Sequence, residues 1–89
     1  MNNVQELIER NMELGAEFSR YIFEHPEIED RLAADAEVVL LPEGDDELRN
    51  FNLSTGRRIE AEGTRVTYVT IKKMRPRAFS RIEELELSA

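Results

Sequence analysis

The sequence contains no cysteine and no tryptophan, and a single histidine among its 89 residues. The first absence excludes disulfides and thiolate metal sites, and one histidine does not assemble a zinc cluster of the usual kind. Long apolar runs are missing too. None approaches the roughly 20 residues that a membrane-spanning helix needs, and the opening Met1-Asn2-Asn3-Val4-Gln5-Glu6 has neither the basic region nor the apolar core of a signal peptide. A cytoplasmic protein with no membrane attachment is expected. Positive charge is scarce on average: 12 Lys and Arg stand against 19 Asp and Glu, net −7, which disfavours general binding to nucleic acid or anionic membranes.

What is present is a short chain with a marked charge division. Its length suits one domain, residues 1–89, and a fold of this size buries roughly 60 to 65 per cent of the surface of its unfolded chain. Small cores are usually supported by disulfides, a structural metal or self-association. With the first two set aside, a homodimer is expected. Residues 1–56 carry 14 acids and 4 bases, residues 57–81 carry 2 acids and 8 bases, and residues 82–89 carry 3 acids. Any charge-dependent contact is expected in the basic middle block.

The stretch Ala36-Glu37-Val38-Val39-Leu40-Leu41-Pro42 is apolar without alternation and closes on proline, Gly44 and acids. Such a run reads as a strand buried on both faces, as in parallel sheets, here over residues 37–41. A helix over 45–62 follows, capped by Gly44 or Asp45, with Leu48, Phe51, Asn52, Thr55 and Ile59 on its inner face and Gly63 at its end. Gly56 within it weakens the helix and invites close backbone approach. Residues 65–73 then form a second strand, Arg65-Val66-Thr67-Tyr68-Val69-Thr70-Ile71-Lys72-Lys73, and 37–73 reads as one β-α-β unit. A two-stranded sheet is narrow, so its edges are open to extension by dimerisation.

Upstream, Val4, Leu7, Ile8, Asn11, Leu14, Gly15, Phe18 and Ile22 recur at helical steps, giving an amphipathic helix over about 3–24 that stops at His25-Pro26. A second short helix is expected from Pro26 to about Ala34. Beyond Pro76 the tail reads as a docked extended or short helical arm. The fold class is α/β: a small domain with a β-α-β core and an N-terminal amphipathic helix.

Glu17-Phe18-Ser19-Arg20-Tyr21 with His25-Pro26-Glu27-Ile28, then Val38 to Asp46, then Val66 to Pro76, together resemble a family of short uncharacterised bacterial and archaeal proteins, a domain of unknown function. The resemblance covers most of the chain and implies a stand-alone module. It brings no activity, ligand or residue role.

Three groups of residues compete as sites. Asp45 and Asp46, with Glu43 and Glu47, stand where a strand meets a helix, the usual ligand position of open α/β sheets, and carboxylates there suit Mg²⁺. Acids at a helix N-terminus are explained as well by capping, and with no glycine-rich cradle they repel phosphate. His25 lies between Glu24 and Glu27, yet a histidine beside a proline at a helix end is ordinarily exposed. Ser19, Ser54 and Ser80 have no neighbouring base. The third group, Lys72, Lys73, Arg75, Arg77 and Arg81 with Tyr68, suits an acidic protein partner or RNA phosphates, against the alternatives of edge-strand protection or pairing with the acidic first helix of the same or another subunit. The reading that results is a non-enzymatic interaction or regulatory module without cofactor, recognising a partner protein through the second strand and its basic extension. One concrete form is a small acidic partner protein, such as an antitoxin that neutralises a basic toxin. Its rival is a small metal-dependent enzyme using Asp45 or Asp46.

Overall fold

Because Val38 to Leu41 offer no polar face, the first strand must be covered, and the chain covers it with its own crossover helix. In a computed structural model, which describes residues 3–76 and 82–88, the elements run α1 (Asn3–Glu24), α2 (Pro26–Glu29), β1 (Glu37–Pro42), α3 (Asp46–Ala61) and β2 (Val66–Ile71). The two strands are parallel, in register from Glu37 opposite Val66 to Pro42 opposite Ile71. The anticipated β-α-β unit is thus present. Glu37 N–H donates to the Arg65 carbonyl at 2.8 Å and Glu43 N–H to that of Ile71 at 2.9 Å. In a parallel ladder alternate residues of one strand bond to the neighbour. Odd-numbered residues therefore face the partner strand, and the backbone groups of Val38 and Leu40 on β1, and of Val66, Tyr68 and Thr70 on β2, point away from it.

The ends of α3 follow from local chemistry. Asp45 caps the start, its carboxylate accepting the Leu48 N–H at 3.2 Å. At the other end Gly63 takes φ +96, a left-handed conformation that a side chain disfavours. Gly63 N–H then donates to the Glu60 carbonyl at 2.9 Å and Thr64 N–H to that of Ile59 at 3.0 Å, which satisfies two terminal carbonyls. Within the helix the backbone approach invited by Gly56 is real: a Cβ there would lie 2.6 Å from Tyr68 Cε1 and 2.8 Å from its hydroxyl.

Leu7 and Leu14 of α1, Leu40 of β1 and Leu48 of α3 form the core, with Phe18, Phe51, Val69 and Ile71 packed against it. Asn52 is the one buried polar side chain among the described residues. Its Nδ2 donates to the Leu40 carbonyl and to Asn11 Oδ1, both at 2.8 Å. One amide thereby joins α3, β1 and α1.

Three expectations need correction. The short helix stops at Glu29 instead of Ala34, because Arg31 and Leu32 donate to carbonyls three residues back, a tighter turn that does not propagate. The first strand is buried only from Val39 onward, with Glu37 and Val38 exposed. Of the expected tail arm, residues 82–88 form no helix and are exposed, Leu87 to 87%, and residues 77–81 and 89 lie outside the described residues.

Two stability measurements check this packing. Gly56→Ala is expected to cost about 1 to 2 kcal/mol in urea denaturation, since overpacking outweighs the helix gain; in a Tyr68→Ala background the same change becomes stabilising by about 1 kcal/mol. A stabilising Gly56→Ala in the parent chain contradicts the contact. Asn52→Ala leaves two acceptors without their donor and is expected to cost about 2 kcal/mol; a change below about 0.5 kcal/mol contradicts the bridging role.

Candidate functional site

Both strands end at the same place, and the carboxyl ends of parallel strands are where such sheets gather their loops. A cleft of about 400 Å³ opens there, lined by Pro42, Gly44 and Asp45 from the β1–α3 turn and by Ile71, Lys72, Lys73 and Met74 from the end of β2. The fold thus brings Asp45, from the acidic candidate group, into one cleft with Lys72 and Lys73, from the basic group.

Their electrostatic situations differ. Asp45 is already occupied: besides capping Leu48, it accepts from Arg10 Nη1 at 3.2 Å on one oxygen and 2.9 Å on the other. Arg10 Nη2 also donates to Glu47. That hydrogen bond, with the charges of Asp45, Glu47 and Glu6, raises the Arg10 guanidinium above its ordinary value despite partial desolvation. Asp46 is exposed. Among the described residues no group of three His, Asp or Glu side chains is placed to hold a metal ion.

Lys72, Lys73 and Arg75 are exposed and take part in none of the ion pairs among the described residues. Arg77 and Arg81 lie outside the described residues, as does Ser80. The Tyr68 ring is committed to its own chain. It rests on Gly56, and its hydroxyl donates to Glu60, so what Tyr68 presents outward is its backbone edge. His25 stacks on Tyr21 with ring centroids 4.2 Å apart, its Nδ1 3.3 Å from Glu27 Oε1. Ser19 and Ser54 are exposed without a base beside them. A second cleft of about 320 Å³ runs along the outer edge of β1, bordered by Asn11, Gly15, Val38, Asn52 and Thr55.

Two features escaped the sequence reading. The Arg10 bridge joins residues 35 positions apart and has no local signal. The Asn11–Asn52 pair had one: each is a polar residue on an otherwise apolar helix face, and such residues must find each other or a backbone group.

The hydrogen bond to Glu60, followed by desolvation and the Glu60 charge, raises the Tyr68 phenol above its ordinary value of 10.0. A raised folded value means that the neutral phenol is favoured by folding. Its contribution is complete below about pH 10 and is lost as pH rises through the folded value. Phenolate absorbance in an alkaline titration is expected to show a late-ionising tyrosine, moved down toward 10 by Glu60→Gln. No change on that substitution contradicts the contact.

No curated protein and no solved structure matches the chain. Residues 6–85 match a family of unknown function, DUF5647, so nearly the whole fold described above falls within the matched span. The chain therefore belongs to DUF5647.

Proposed function

We propose that the protein is a homodimeric, non-catalytic interaction module that recognises an extended acidic segment of a partner protein along the outer edge of β2 and the basic residues that follow it. The observation that carries this reading is the charge state of the cleft: Lys72 and Lys73 stand exposed and outside the ion pairs among the described residues, beside a carboxylate, Asp45, that Arg10 already neutralises. Beside them the outward N–H and C=O groups of Val66, Tyr68 and Thr70 form a row ready to accept another strand. The backbone row supplies affinity, and the cations select an acidic sequence. Lys72, Lys73 and Arg75 also guard the edge against indiscriminate pairing. Asp45 and Asp46 offer a metal-dependent reaction little support, since the first is saturated by hydrogen bonds and the second has no companion ligands within the described cleft.

The test is an NMR titration with a synthetic peptide alternating Glu and Val. Shifts are expected in the amides of Val66, Tyr68, Thr70 and Lys72, with affinity falling several-fold as ionic strength rises from about 0.01 to 0.15 M. Lys72→Glu combined with Arg75→Glu should abolish binding and leave the far-ultraviolet circular dichroism unchanged. Shifts confined to other elements, or binding indifferent to the charge reversal, refute the reading.

A further inference from the structure

About half of the apolar stripe on α1 is not used by its own chain. Leu7 and Leu14 enter the core, with Phe18 packed against it and Asn11 bonded to Asn52. The remainder faces outward: Ile8 is 48% exposed, Met12 70% and Phe23 88%. At 100° per residue these three, with Gly15, Ala16, Ser19 and Ile22, fall in one sector about 120° wide. No charged residue lies in that sector, although α1 carries five glutamates and two arginines elsewhere on its surface. Phenylalanine at the exposure seen for Phe23 is out of place on a surface that water alone covers.

Gly15 points the same way. It stands in the middle of a 22-residue helix, where glycine weakens the helix, and nothing lies within 4 Å of the position its Cβ would take. Packing within its own chain therefore does not call for glycine there. Close approach by a second helix does.

We infer that this sector is the homodimer interface, in which α1 of a second copy packs antiparallel on α1 with Gly15 and Ala16 at the crossing. The charges choose the direction. Glu9, Glu13 and Arg20 occupy one flank of the sector, and an antiparallel two-fold pair sets each flank against the same flank of its partner. Arg20, which pairs with Glu17 of its own chain, then also lies near Glu9 and Glu13 of the other copy, Ile8 lies near Phe23, and Met12 near Ser19. This surface is separate from β2, which leaves the strand edge free for its own partner.

Since the chain lacks cysteine, single introduced thiols report the geometry directly. Sedimentation equilibrium is expected to give twice the 10.3 kDa chain mass, and Met12→Glu to weaken association at least about a hundredfold. Under mild oxidation Ala16→Cys is expected to form a disulfide-linked dimer, whereas Ile8→Cys, Phe23→Cys and Ser54→Cys do not. Lys72→Glu with Arg75→Glu should leave the mass unchanged, so failure of the strand-edge reading and failure of this one are told apart. A parent protein at 10.3 kDa across all concentrations overturns the inference. So does a dimer linked as readily through position 8, 23 or 54 as through 16. If Met12→Glu does not fold alone, the thiol pattern in the otherwise native chain decides.

Discussion

The amide of Asn52 is the joint on which the arrangement depends. A buried polar group must be satisfied or it destabilises the fold, and Asn52 meets that demand by reaching at once to the Leu40 carbonyl and to Asn11. In doing so it places α1 and α3 beside the outer edge of β1 and takes up one of that edge's outward acceptors. Among the described residues no side chain takes up the outward backbone groups of β2 in this way. The asymmetry between the two edges, and therefore the location of the open one, follows from a single side chain on α3.

Charge is distributed on a similar principle. At the start of α3, half-buried Asp45 caps the helix and meets Arg10 across 35 positions of sequence, and the exposed Glu47 meets the same guanidinium. The ion pairs at the surface, such as Arg65 with Asp35 and Arg20 with Glu17, contribute little to stability because water competes for both partners. What distinguishes Lys72, Lys73 and Arg75 is that they stand outside these pairings in a chain of net −7. The field of the rest of the molecule makes an isolated basic end attractive to acidic segments at close range and unattractive to extended polyanions.

Much of the fold was legible because its signals are local. The 3.6-residue period set α1 at 3–24, the unbroken run Val38 to Leu41 announced a parallel strand, and Gly63 marked the end of α3 through its backbone conformation. Gly56 foretold close approach, though not that the approaching group would be the Tyr68 ring. Less could be read where the fold uses only part of an apolar face. Periodicity put Ile8 on the apolar side of α1 together with Leu7 and Leu14, and only the packing separates the half that meets α3 from the half that does not. The tail was less legible for a related reason: Leu85 and Leu87 promise burial by composition, but composition does not name the surface, and both are exposed. Long-range pairs such as Arg10 with Asp45 leave no periodic trace at all.

The parallel pairing of β1 with β2 also has an entropic cost. Glu37 meets Val66 only after 28 intervening residues have been traversed, and closing so long a loop is costly until something shortens it. The shortening is done by α3, whose 16 residues make a strut about 24 Å long, against about 20 Å for each six-residue strand. A rod of that length carries the chain back to where β1 began. The pairing of two strands so distant in sequence thus becomes less costly through a helix that needs only local contacts to form.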